Sequence, residues 1–252
     1  MPPTRVSSRQ IRTLGCTAAL AGAIVATAGE GAAAGADADA AAAARAETRA
    51  ARSQPVAISD LAAAERVAHS GWEPRPQNRA ENRRTPSKRT LRRFRRSSQL
   101  PRAYKRRVTG GYRGTTDEII QWAAYKWGFS PNVLRAVAAI ESRWKMGAVG
   151  DSGQSFGIMQ VKSGPHCCFP ASRRSTAFNL DYYGAYQRAV YDGRLRWLNG
   201  VERGERYRAG DLWGSVGVWY SGRWHYGSGE YIRRVKDTIR QGVWRRSGFR
   251  RG

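Results

Sequence analysis

Apolar positions recur with helical spacing through residues 115–242 and only weakly before them. Thr115-Thr116-Asp117-Glu118 is a capping box with acids in the first turn. Behind it Ile119, Ile120, Ala123 and Trp127 fall on one face, and Gly128 ends the stretch. Ser130-Pro131 supplies cap and first-turn proline for a second helix, which runs to about Trp144 with Ala136, Val137 and Ile140 inward. Gly147 to Gly157 holds four glycines, so a turn rather than a long element is expected there. Residues 176–192 predict a third helix on Phe178, Tyr182, Ala185 and Ala189, and Leu195–Val201 a short fourth. Asp211 caps a fifth helix that ends at Ser221-Gly222. Ser228 caps a sixth that runs through Gly242 with Tyr231, Val235 and Ile239 inward. No Val/Ile/Thr-rich alternating run requires a sheet. The expectation is one all-α domain over residues 115–245, without internal repeats.

Upstream the pattern weakens. Val56–His69 predicts one short helix with Ser59 as cap and Leu61, Ala64, Val67 and Ala68 inward, ended by Pro74 and Pro76. Between Arg83 and Arg113 stand thirteen Lys and Arg and no acid, a run whose self-repulsion predicts disorder. Residues 29–114 are therefore read as a low-complexity, Arg-rich disordered arm.

The formal net charge of +25 is shared by both halves of the chain and fits an anionic partner. Residues 1–28 read as a secretory signal: Arg5, Arg9 and Arg12, then an apolar stretch from Leu14, then Ala26-Thr27-Ala28 as cleavage site. That core is too short to span a bilayer, and no later stretch is apolar enough. Secretion disfavours nucleic acid as the partner and leaves a membrane surface or an acidic wall polymer. It also favours oxidation of Cys167 and Cys168; a vicinal disulfide or two buried thiols are the two readings of the pair. With His166 beside them they do not form a four-ligand metal shell, and no metal is expected.

One carboxyl stands out. Glu141 closely follows the apolar face of the second helix, and apolar surroundings raise a carboxyl's pKa toward what a general acid requires. Glu141-Ser142, Trp144, Ala148-Val149-Gly150, Gly153 and Gly157-Ile158-Met159-Gln160 resemble, in order and spacing, the soluble lytic transglycosylase (SLT) domain of the lysozyme-like superfamily. The resemblance covers roughly Asp117 to Ile239. It implies a lysozyme-like helical fold and cleavage of peptidoglycan glycan strands by one Glu, without cofactor. That Glu first protonates the bond between N-acetylmuramic acid and N-acetylglucosamine, then takes the proton of the muramyl 6-hydroxyl as a 1,6-anhydro ring closes.

Residue by residue, the resemblance makes Glu141 catalytic and Gln160 a hydrogen-bonding partner for substrate acetamides. Met159 lines the cleft beside it, and Ser142, which supports the turn, is counted with Met159, Gln160, Tyr220 and Tyr231 among the substrate-binding candidates. Trp219-Tyr220-Ser221-Gly222 is similar to the family's Ala-Tyr-Asn-x-Gly, with Ser221 in place of the Asn, and sets the Tyr220 hydroxyl against Glu141. Tyr231 matches a later Tyr of the family or is plain core. One or two of Trp144, Trp213, Trp219, Trp224 and Tyr226 are expected in the cleft. Two other readings remain: a hydrolytic muramidase helped by Asp151, otherwise a turn-forming residue, and a non-catalytic cationic wall-binding protein. The whole is expected to be a secreted, wall-associated monomer that binds glycan strands and anionic wall polymers.

Overall fold

The computed structural model describes residues 38–39, 41–49, 57–163 and 168–250. The expected signal segment, the alanine-rich start up to residue 37 and Cys167 lie outside these residues.

Helices dominate, as expected. α1 is Asp60–Ala64, α2 Lys88–Ser97, α3 Thr116–Trp127, α4 Pro131–Ser142, α5 Thr176–Tyr191, α6 Leu212–Ser221 and α7 Gly229–Gln241. Their starts follow local chemistry. Thr115 and Glu118 form the reciprocal capping box of α3, Ser130 caps α4, Asp211 caps α6, and Gly128, Gly222 and Gly242 close their helices in left-handed conformation. Ser228 precedes α7 without a capping hydrogen bond from its side chain. Every residue of α5 is buried, so its apolar positions show no one-sided stripe and it forms the centre of the domain. α3 packs on α5 and α4, α6 on α5, and α7 lies against both α4 and α6.

The glycine turn contains a small sheet that the hydrophobic pattern did not announce. β1 (Val149–Gly150), β2 (Ser155–Phe156) and β3 (Val161–Lys162) pair antiparallel in that order, with Val149 opposite Phe156 and Phe156 opposite Val161. Two-residue strands carry no readable alternation. The predicted fourth helix is a single 3₁₀ turn, Arg196–Asn199.

The largest correction concerns the basic arm. Residues 57–114, expected to be disordered, are built into the domain. Phe94, Leu100, Tyr104 and Val108 are buried among the Arg residues and join the common core; Phe94 meets Phe178 edge-on at 5.4 Å. Four apolar anchors and a set of buried polar bonds outweigh the charge run, most of whose arginines are exposed. In α1 the inward residue is Ala63, whereas Leu61, expected inward, is 70% exposed.

One buried carboxylate of the domain gathers bonds from the arm. Asp181 of α5, fully buried, accepts from the backbone N–H groups of Thr109 and Gly110 at 2.8 Å each, from Lys126 Nζ at 2.7 Å and from Trp127 Nε1 at 2.7 Å. Lys126 also pairs with Asp60 at 2.7 Å. Four donors on one buried carboxylate satisfy the charge that burial would otherwise make costly.

Candidate active site

Glu141 sits in the last turn of α4, where the helix runs out beside the small sheet. The backbone beyond it is unusual: Arg143 and Trp144 take φ of 53° and 65°, a left-handed conformation that costs free energy for residues with side chains. Three bonds from the upstream segment hold this turn. Arg75 Nε donates to the Arg143 carbonyl at 2.7 Å, and Asn78 Nδ2 donates to the Trp144 carbonyl at 2.7 Å. Asn78 Oδ1 in turn accepts from the Met146 N–H at 2.8 Å. Ser142 ties the helix end to the next segment, its hydroxyl donating to the Ile158 carbonyl at 2.8 Å. It supports the turn and is absent from the lining of the cleft, which departs from the substrate-binding role expected of it.

The Glu141 carboxyl opens into a cleft of about 250 Å³ lined also by Asp151, Ser155, Gln160, Lys162, Trp219 and Tyr220. Burial pushes its pKa up to about 7. A hydrogen bond from Tyr231 works against that rise, Asp151 adds to it and Arg234 opposes it. The Tyr231 hydroxyl donates to Glu141 Oε1 at 2.5 Å. Beneath lies the fully buried Tyr183, whose ring meets Trp219 edge-on at 4.9 Å. Trp219 is fixed in turn by its Nε1, which donates to the Met159 carbonyl at 3.1 Å.

The expected Tyr220 contact is therefore made by Tyr231. Tyr220 is 61% exposed and stacks on the Tyr231 ring at 4.7 Å and 10°. Tyr231 lies on the inner face of α7 one turn before buried Val235, whereas Tyr220 stands at the solvent side of the last turn of α6. Met159 is also corrected. Its side chain is fully buried and does not line the cleft; its backbone alone serves the site, the N–H bonding Asn179 Oδ1 at 2.9 Å and the carbonyl holding Trp219.

Gln160 does line the cleft. Its Nε2 donates to the carbonyls of Ala148 and Gly157 at 3.2 and 2.9 Å, which fixes the amide and leaves Oε1 beside Gly150. A β-carbon at Gly150 would collide with that oxygen, so this glycine makes room for the amide. Gly157, at φ +78°, is likewise required: a β-carbon there would run into Asn179 and the Ser172 carbonyl.

Asp151 is a second carboxyl of the cleft. The Ser155 hydroxyl, at 2.6 Å, and Lys162, at 3.4 Å, hold its pKa below the usual carboxylate value. It combines the turn-forming conformation expected of it, at φ 49°, with exposure to the cleft. Thus the two acids are driven apart, one holding its proton near neutrality and one ionised. Lys162, Ser155 and Tyr183 were not foreseen; Lys162 and Ser155 lie on two-residue strands, and Tyr183 reads as ordinary core. Trp219, one of the candidate aromatics, is in the cleft, while Trp144 and Trp224 are fully buried. Cys168 is disulfide-bonded.

A proton-holding carboxyl at a helix end, above a polar cleft walled by aromatics in a mostly helical domain, is an arrangement that can act as a general acid. The comparison with known families agrees. The Transglycosylase SLT domain model matches residues 118–165, from the first turn of α3 past the small sheet, and so spans Glu141, Ser142, Met159 and Gln160. This stretch is similar to the Transglycosylase SLT domain of the lysozyme-like superfamily. No curated protein and no solved structure matches the chain.

Proposed function

We propose that the protein is a secreted peptidoglycan lytic transglycosylase with Glu141 as its acid and base. Glu141 gives its proton to the bridging oxygen as the bond from the muramyl C1 breaks. The muramyl 6-hydroxyl then attacks C1, and its proton returns to the carboxylate, closing the 1,6-anhydro ring. Atoms and charge balance without a further reactant. The single observation that carries the reading is the Glu141 carboxyl, kept protonated to about pH 7 in a cleft and oriented by Tyr231. Tyr231 bonds to the carboxylate that forms after the first transfer, the moment at which charge appears in the buried site. Gln160 Oε1 is an acceptor held for the N–H of a substrate acetamide.

Asp151 supports a second reading. An ionised carboxylate in the same cleft can activate water and turn the outcome to hydrolysis. Mass spectrometry of digested glycan separates the two: anhydro-muramyl ends for the lyase, reducing ends for the hydrolase. A wall binder without turnover is tested by Glu141→Gln, which leaves such a protein's phenotype intact.

The folded arm supplies the wall contact in this reading. Arg89, Arg92, Arg93 and Arg96 of α2 are exposed, and no acid lies in the run around them. They form a cationic face for an anionic wall polymer.

A further inference from the structure

A cavity of about 390 Å³ lies apart from the Glu141 cleft and shares no residue with it. Arg79, Arg83, Arg113, Glu73 and Asn82 are in its lining. Its volume lies within the ~300–1,000 Å³ of small-ligand pockets. Every lining residue precedes the stretch matched to the SLT family, so the cavity belongs to the upstream segment.

Local structure brings the three arginines together. Arg79 and Arg83 stand four residues apart, at the start and just past the end of the helical turn Arg79–Asn82, a spacing that puts them on one side. Arg113 comes from the connection into α3. Gly114 lets that connection pass close to the helix, since a β-carbon there would run into the Glu118 carboxylate. All three arginines are exposed, and none makes an ion pair among the described residues. Arg113 makes one long bond, to Thr85 Oγ1 at 3.5 Å. The acid of the lining is engaged elsewhere: Glu73 accepts from the Arg75 N–H at 2.8 Å, from Asn82 Nδ2 at 2.8 Å and from the Thr116 N–H at 2.9 Å. Asn82 is buried and its Nδ2 also donates to Thr116 Oγ1 at 3.1 Å, whereas its Oδ1 accepts from no described residue. A buried acceptor without a donor costs free energy, which a ligand hydroxyl would recover.

Unpaired guanidinium forks match the oxygens of phosphates and carboxylates. Three such cations against one carboxylate leave two net positive charges, which the roughly −1.5 to −2 of a phosphate monoester balances. A phosphate monoester also has three acceptor oxygens, one for each fork, where a carboxylate has two. No aromatic residue lines the cavity, so a nucleobase finds no face to stack on.

We infer that this cavity binds the phosphate ester of a polyhydroxylated carbon chain, with the arginines on the phosphate and Asn82 on a hydroxyl. A free phosphate ester and a phosphate carried on a wall polymer share this chemistry. Only the second source rests on the proposed function.

Isothermal titration at about 0.15 M ionic strength tests it, with glycerol phosphate as probe and succinate as a dicarboxylate of matched charge. Wild type should bind glycerol phosphate, and bind it more tightly than succinate. Arg79→Gln, Arg83→Gln and Arg113→Gln combined should weaken that binding by about tenfold or more. Arg102→Gln, Arg206→Gln and Arg246→Gln combined, three exposed arginines outside the cavity, should leave it near wild type. Melting curves verify the fold; should the first triple variant melt early, Arg83→Gln alone decides, with binding weakened several-fold. No binding, equal affinity for succinate, undiminished binding in the cavity variants, or equal weakening in both triple variants overturns the site. Displacement of the ester by poly(glycerol phosphate) upholds the site and makes a polymer its ligand; failure to displace it upholds a site for the free ester. A single-stranded oligonucleotide that displaces the ester as well as that polymer overturns the polyol assignment. These readouts are of binding alone, so loss of the proposed glycan cleavage leaves the site standing, and the reverse holds too.

Discussion

At the scale of single residues the account turns on two neighbours that push Glu141 in opposite directions. The Tyr231 hydroxyl favours the carboxylate, while the Asp151 charge disfavours it. With the acid required in protonated form, activity should fall as pH rises through about 7 in wild type. Tyr231→Phe should move that fall to higher pH and Asp151→Asn to lower pH, read from pH profiles of kcat/KM. Shifts in the same direction would contradict the assigned neighbours. The raised pKa also bears on stability. The folded state holds the proton more tightly than the unfolded chain, so stability is unaffected below about pH 4.5, declines as pH rises, and the full cost is reached above about 7. From 4.5 to about 7 this is on the order of 3 kcal/mol. Glu141→Gln should thus be more stable than wild type at pH 8 and no more stable at pH 4, measured by denaturant unfolding. A difference independent of pH would show that the carboxyl is not buried as described. Glu141 and Gln160 were legible in sequence because their motif parts lie within twenty residues. Tyr231 was legible only as a candidate, since sequence does not tell which of two stacked tyrosines, 220 or 231, meets an acid on another helix.

At the scale of elements, helix positions followed from caps and periodicity, and α3, α4, α5 and α6 start and end close to where Thr115, Ser130, Gly128 and Gly222 predict. The small sheet was not legible, because three two-residue strands are defined by hydrogen bonds rather than side-chain pattern. The turn after α4 was not legible either. Its left-handed Arg143 and Trp144 are held by Arg75 and Asn78, some seventy residues upstream in a segment read as disordered. Asn78 is fully buried and bonds the Trp144 carbonyl and the Met146 N–H; removing it strands both. Asn78→Ala should cost about 2–4 kcal/mol from two unmade buried hydrogen bonds, and should lower kcat more than it raises KM, since it loosens the end of the acid's helix. Denaturation and steady-state kinetics measure the two. Wild-type stability in the variant would contradict the role.

At the scale of the whole molecule, charge was misleading where it was densest. Thirteen basic residues between Arg83 and Arg113 read as a chain that repels itself. Yet Phe94, Leu100, Tyr104 and Val108 anchor it, and Asp181 holds Thr109 and Gly110 while binding Lys126. The folded unit therefore includes residues 57–114. Asp181→Asn should destabilise by about 2–3 kcal/mol, because it removes the buried charge on which four donors converge while Lys126 keeps its pair with Asp60, and a chain starting at residue 115 should not fold on its own. A truncated chain with native melting behaviour would contradict this. The same packing changes how wall attachment is tested. Deleting the arm should unfold the domain, whereas replacing the exposed Arg89, Arg92, Arg93 and Arg96 with Gln should weaken retention on cell walls and flatten its dependence on salt, with cleavage of soluble glycan retained. Retention equal to wild type at all salt concentrations would remove α2 from the wall contact.

The central claim is that one buried carboxyl both gives and retrieves the proton of glycan cleavage. Product analysis of digested peptidoglycan by mass spectrometry, with wild type and Glu141→Gln side by side, tests it most directly. The account predicts 1,6-anhydro-muramyl ends from wild type and a loss of turnover on the order of a hundredfold or more in Glu141→Gln. Reducing ends from wild type, or turnover undiminished in Glu141→Gln, would contradict it.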